Sequence, residues 1–173
     1  MSRIKIQYET KRLLLKPTDV QDASFILELL NSPGWIKHIG DRNVHTEAEA
    51  ASYIQNRMLP QYEKYGYGNY TVILKEGGAK IGTSGIYVRP RQENVDIGFS
   101  MLPEHMGQGY SYEAATKIME LAEMKFGIKK ITAITTRANI PSQNLIKKLG
   151  MTYIKDVEIE GDDEILMQFG LEF

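Results

Sequence analysis

The chain has 173 residues, 42% hydrophobic and 25% charged, the balance of a soluble globular protein large enough for a real core. A net charge of -1 argues against a general nucleic-acid binder, and the lack of cysteine removes disulfides, thiolate metal sites and a cysteine nucleophile while fitting a reducing cytoplasm. No apolar run approaches the roughly 20 residues of a membrane span, and the opening MSRIKIQYETKR is charged and lacks an apolar signal core. With no repeat, low-complexity tract or linker-like stretch, residues 1–173 read as a single domain. KRLLLKP (11–17) is short, apolar-rich and stopped by Pro17, which predicts a strand. Thr18 to Gln21 has the form of a capping box with Thr18 as N-cap. The helix behind it repeats Val20, Ala23, Ile26, Leu27 and Leu30 and ends at Asn31-Ser32-Pro33-Gly34. Thr46 to Glu49 forms a second capping box, whose helix carries Ala50, Ile54 and Met58 and meets Pro60, expected to kink or end it. NYTVILK (69–75), the turn at 76–79 and KIGTSGIYV (80–88) read as a hairpin, with ENVDIGFSM (93–101) as a third strand.

Gly107 and Gly109 follow that strand and open a long amphipathic helix from about Tyr110 to Phe126, ended by Gly127. A helix N-terminus has unpaired N–H groups and a partial positive charge, and glycines in front of it let a ligand approach the backbone. The arrangement suits phosphate. A Walker loop is absent, and a dinucleotide fingerprint would need glycine where Tyr112 stands. On the glycines alone, a plain helix-capping turn is an equal reading. KKITAITTR (129–137) is the next strand, Asn139-Ile140-Pro141-Ser142 starts a short helix through Leu149, and 151–160 with 164–172 form a closing hairpin. The order gives an α/β (α+β) fold with a mixed, mostly antiparallel sheet and a β-α-β unit at its centre.

Met106-Gly107-Gln108-Gly109-Tyr110-Ser111 resembles motif A, Q/R-x-x-G-x-G/A, of the GNAT (Gcn5-related N-acetyltransferase) superfamily, with Met106 at Q/R, Gly109 at G and Ser111 at G/A. Met106 and Ser111 depart from the pattern, but backbone amides would do the binding. GQGYSYEA (107–114) is similar to the branch that acetylates ribosomal-protein N-terminal alanine or serine. ETKRLLLKPTDVQDASFILELLNSP (9–33), DIGFSM (96–101) and Asn139 to Ser142 with Leu149-Gly150-Met151 resemble further segments of that branch in the same order.

The resemblance implies direct transfer of an acetyl group from acetyl-CoA to a primary amine, without a covalent acyl-enzyme. It places the pyrophosphate on amides of Gly107, Gln108, Gly109, Tyr110 and Ser111, with Met106 at the motif's head. Pantetheine would lie against the backbone of Phe99 and Met101, with Leu102 beside them and Asn139 touching the CoA arm. Asp96 stands where many members carry a glutamate general base; its other readings are a solvated carboxylate on the strand edge or one paired with Arg91 or another charge. The family's tyrosine acid falls at Ile146, and Ser142 is the expected substitute near the sulfur; its other reading is a helix-start residue. Glu113 reads as a first-turn carboxylate pairing with Lys117. His38, His45 and His105 have no metal-ligand spacing, so no metal is expected. The expected acceptor is a protein N-terminal amine. A polyamine or aminoglycoside is the second reading, for which Asp41, Glu47, Glu49 and Glu63 offer acidic charge, and a non-catalytic acyl-CoA-binding protein is the third. Expected partners are thus acetyl-CoA and an amine, without nucleic acid or membrane, in the cytoplasm. The edge strands could pair with a second copy.

Overall fold

The computed structural model describes residues 5–173; the first four residues of the charged opening segment lie outside them. Eight strands form one sheet in the order β1-β2-β3-β4-β5-β6-β8-β7. They are β1 (Tyr8–Glu9), β2 (Leu13–Pro17), β3 (Asn69–Leu74), β4 (Lys80–Tyr87), β5 (Val95–Met101), β6 (Lys130–Thr135), β7 (Thr152–Glu158) and β8 (Ile165–Glu172). Every pairing is antiparallel except β5 with β6. Their connection is the long helix α5 (Tyr110–Met124), the predicted β-α-β unit.

The helices divide by face. One face is apolar: Leu15, Val72, Ile86 and Ile97 of the sheet pack against Ala114, Ile118 and Ala122 of α5, all buried. That alternation follows from strand period two meeting helical period 3.6. α6 (Ile140–Lys148) joins this core through Ile146, while Leu149, just after it, is only partly buried. The other face carries α1 (Ala23–Leu30), α2 (Pro33–His38) and α3 (Glu47–Tyr53), which form a separate apolar cluster around Ile26, Leu29, Ala50 and Ile54. α4 (Leu59–Tyr65) brings Tyr62 into the α5 core against Tyr70.

Three local features depart from the sequence reading. The first cap is Asp19, not Thr18. The Asp19 carboxylate accepts from Gln21 N at 2.9 Å and Asp22 closes the box onto the Asp19 N–H. Thr18 is buried instead, its hydroxyl paired with that of Thr71. Pro33 ends one helix and starts another, because its fixed φ and missing N–H cost nothing in a first turn. Pro60 likewise sits in the first turn of α4, and the chain reaches it through a π-helical segment, Ile54–Met58, that loosens the backbone upstream.

Candidate active site

β5 is hydrogen-bonded to β4 along its length but to β6 only at Val95↔Ile131 and Asp96↔Thr132. Beyond those two pairs the strands separate, and β6 continues beside β8 alone. Leu102 N donates to Ile81 O at 2.8 Å, toward β4. Strand alternation therefore turns the N–H and C=O groups of Ile97, Phe99 and Met101 the other way, into the split. Val95 agrees with that register, its carbonyl accepting from Thr132 Oγ1 at 3.2 Å on the β6 side. Phe99 and Met101 thus have backbone groups that no strand uses. The Leu102 amide is spent on β4 and its side chain is buried.

At the C-terminal end of β5 the chain turns into α5. Gly109, the N-cap, has φ 83° and offers no capping side chain, so the first-turn amides from Tyr110 onward have no cap partner. A side chain at Gly109 would be strained, and its Cβ would come within 3.3 Å of Arg12 Nη2. Gly107 is also left-handed, with φ 75°. The Gln108 side chain folds back to donate to Glu104 O at 3.2 Å and leaves the cradle open. Met106 is exposed, and its methyl lies beside Gly34 of α2.

Arg12, which the sequence reading did not single out, borders this cradle. Its Nη1 donates to Gln108 O at 3.1 Å, its guanidinium lies 4.4 Å above the Tyr110 ring, and its Nε donates to Glu113 Oε2 at 2.7 Å. Glu113 also accepts from Thr10 Oγ1 at 2.6 Å and Arg12 N at 2.8 Å. Burial raises the Glu113 pKa, but the bonds from Thr10 and Arg12 outweigh it and hold the carboxyl below its ordinary value. The expected Glu113–Lys117 pair does not form; Lys117 reaches Glu120 at 3.1 Å. The partnership is invisible in helical spacing because Arg12 is 101 positions away. The available signal was a lone arginine opening a strand and a lone glutamate opening a helix.

Asp96 sits at the apex of the split, on the face opposite α5, and is 1% exposed. Arg89 Nε donates to one carboxylate oxygen and Thr132 Oγ1 to the other. The paired-carboxylate reading thus has a concrete partner, Arg89 rather than Arg91, which reaches Glu160 instead. Beside it the Tyr87 ring crosses β5 at Gly98, where a Cβ would come within 2.7 Å of the ring. The Tyr87 hydroxyl donates to Asn69 Oδ1, and burial raises its pKa. Asn139 is the N-cap of α6, its side chain accepting from Ser142 N at 3.2 Å. Ser142 is half-buried, and its hydroxyl has no partner among the described residues. Ile146, at the family's tyrosine position, is sealed in the core.

α2 spans the mouth of the split. At one end a Cβ added to Gly34 would lie 3.6 Å from the methyl of Met106, which follows β5; at the other end His38 Nδ1 lies 3.5 Å from Thr136 Oγ1, just past β6. Among the described residues no cluster of acidic, histidine or cysteine side chains forms a metal site, and no helix is long and apolar enough to cross a membrane.

Residues 12–152 match the family described as the Acetyltransferase (GNAT) domain. The chain belongs to the GNAT acetyltransferases. One relative, the uncharacterized N-acetyltransferase YnaD of Bacillus subtilis, is 29% identical over 82% of this chain and 80% of its own length. The ribosomal-protein-S5-alanine acetyltransferase of Vibrio fischeri shares the fold with a TM-score of 0.80, at 16% identity over 96% of each chain. The ribosomal L7/L12 alpha-N-protein acetyltransferase RimL, solved with coenzyme A, superposes with a TM-score of 0.78, at 14% identity over 94% of this chain and 95% of its own. The mixed sheet with its open β5/β6 pair is the GNAT fold, and the protein is an N-acetyltransferase by family.

Proposed function

We propose that this GNAT protein transfers the acetyl group of acetyl-CoA to the α-amine of a protein N-terminus. The carrying observation is the split between β5 and β6 with a glycine cradle at its wide end. An extended amide-bearing arm fits the unspent backbone of Phe99 and Met101 as an added strand would. A pyrophosphate fits the uncapped first-turn amides from Gly109 through Ser111, where the helix end favours an anion and Gly109 removes the Cβ that would obstruct it. Met106, Gly107 and Gln108 shape the turn in front, and Arg12 adds positive charge behind it. When bound, acetyl-CoA supplies an activated acetyl thioester.

The chain's own groups do the remaining work. Ser142 holds a hydroxyl free to meet the leaving sulfur, on a helix start fixed by Asn139. Asp96, bound on both oxygens, holds Arg89 and Thr132 at the apex of the split, so that the thioester end of the arm meets a fixed wall. The choice of a protein N-terminus rests on the 107–114 segment and on the fold likeness to two ribosomal-protein acetyltransferases. The polyamine reading loses one of its acidic residues, since Glu49 is spent capping α3.

The test is thiol release from acetyl-CoA across a panel of N-terminal peptides, polyamines and aminoglycosides, with calorimetry for CoA binding. Acetylation of peptides beginning with small residues is the expected result. Acetylation of polyamines alone would reassign the acceptor. CoA binding with no transfer to any amine would leave a binding protein in place of an enzyme.

A further inference from the structure

The amine must reach the split from one side only. On the α5 side the space is closed by Ile97, Ile118, Ile131 and Ala133, all buried. The open side is that of α2, which bridges the mouth from Met106 to Thr136. An amine arriving there is an ammonium at neutral pH and must lose a proton before its nitrogen can attack.

Several ionisable side chains near the split and on that face of the sheet are already committed. Asp96 has both oxygens occupied, by Arg89 and Thr132. The Tyr87 hydroxyl is given to Asn69, and burial raises its pKa. Lys16 and Lys80 share Asp22, and Lys16 also reaches Asp19, toward the other edge of the sheet. Arg137, next to Thr136, turns away to grip Asp156 with both contacts at 2.6 Å. His38 is placed differently from these. It is half-buried at the mouth, its Nδ1 faces only the Thr136 hydroxyl, and its second ring nitrogen has no partner among the described residues. Thr136 is itself fixed, buried with its carbonyl accepting from Gln143 Nε2 at 3.1 Å and Asn139 N at 3.2 Å. In the tautomer whose Nδ1–H points at the Thr136 hydroxyl, the imidazole keeps its lone pair on Nε2, where it can accept a proton.

We propose that His38 is the proton acceptor of the transfer reaction, with Thr136 orienting its ring; this rests on the acetyl-transfer reading above. His38 Nε2 takes one proton from the ammonium, directly or through one water. The freed nitrogen pair forms the C–N bond to the acetyl carbon as the C–S bond breaks. The second nitrogen proton passes to the departing thiolate through Ser142 or solvent, and the imidazolium returns its proton to bulk water. One ammonium and one thioester thus give one amide, one thiol and one released proton.

The test compares wild type, His38→Gln, His38→Ala and Asp96→Asn on whichever amine the wild type acetylates. Both His38 variants should lower kcat roughly 100-fold, the low end of general-base effects. The KM for acetyl-CoA and the melting-temperature rise on adding it should stay unchanged, which excludes misfolding. The acidic limb of the kcat–pH profile should disappear with His38, persist in Asp96→Asn, and imidazole added to His38→Ala should restore part of the rate. A His38→Gln protein with wild-type rate and acidic limb overturns the assignment, as does loss of that limb in Asp96→Asn. A wild type that binds acetyl-CoA yet acetylates no amine overturns the proposed function, and this role with it.

Discussion

The two faces of the sheet are built from opposite materials. The α5 face is dry: Leu15, Val72, Ile86, Ile97, Ile118 and Ile131 meet without a charge among them. The α1–α3 face buries Asp22 against Lys16 and Lys80, at 2.8 and 2.7 Å, and Asp96 against Arg89. It also lines up Thr71, Thr83 and Thr132 along the strands. A dry face suits an element that must stay still, because close-packed apolar contacts leave a helix few alternative positions. α5 carries the cradle and needs that stillness. The polar face is the one a charged amine can approach, since its groups already hold ions in place of water.

Each side of this contrast can be broken separately. The largest effect is expected at the cradle: Gly109→Asp should weaken coenzyme A binding by roughly 100-fold or more, because like charge against the pyrophosphate costs several kcal/mol and φ 83° strains any side chain. Calorimetry reads this directly, and a variant that binds as wild type does would remove the cradle from the site. On the dry face, Ile118→Ala should cost about 3–4 kcal/mol in denaturant unfolding, since the residue is fully buried against the sheet.

On the polar face, Asp22→Asn should cost roughly 3 kcal/mol by leaving two lysines facing an amide. The pH dependence sharpens the point. Burial raises the Asp22 pKa, but Lys16 and Lys80 prevail and hold it below its ordinary 3.8. A depressed carboxyl contributes its stability in full above the unfolded-state value and loses it as pH falls through the folded one. Wild-type unfolding free energy should therefore drop below about pH 4, and Asp22→Asn should flatten that decline. The smallest effect is expected at Asp96→Asn, about 1–3 kcal/mol, because the amide keeps the partner of one oxygen and loses that of the other. Equal costs for Asp22→Asn and Asp96→Asn would mean that the two ion clusters are alike.

The dry face was legible in the sequence because it is periodic. Residues 69–75 alternate, 80–88 return beyond the turn as their hairpin partner with 93–101 as a third strand, and α5 repeats its apolar positions from Ala114 to Ala122, so strands, helix and the parallel β5/β6 pair all follow from local pattern. At the strand-to-helix junction the two glycines alone fitted a plain capping turn equally well, and the resemblance of residues 106–111 to motif A carried the phosphate reading. The polar face was not legible, since its contacts join residues far apart: Asp22 with Lys80, His38 with Thr136, Arg89 with Asp96. A charged residue carries no periodic mark saying which distant partner neutralises it. The Asp19 cap shows the same blindness at short range: the sequence reading took Thr18 as the cap, but Thr71, 53 positions away, pairs with the threonine hydroxyl and Asp19 caps instead.

The two-residue seam between β5 and β6 also divides the sheet mechanically. Strands β1 to β5 form one hydrogen-bonded panel and β6, β8 and β7 another, joined in the sheet only at Val95–Ile131 and Asp96–Thr132. Panels so weakly stitched can open independently, and backbone amides next to the seam should exchange with deuterium faster than those inside either panel. An extended arm laid between them would act as a missing strand. It would slow exchange at Phe99 and Met101 and merge two partial unfolding events into one, so that the co-substrate works as a structural rivet before it works as a reagent.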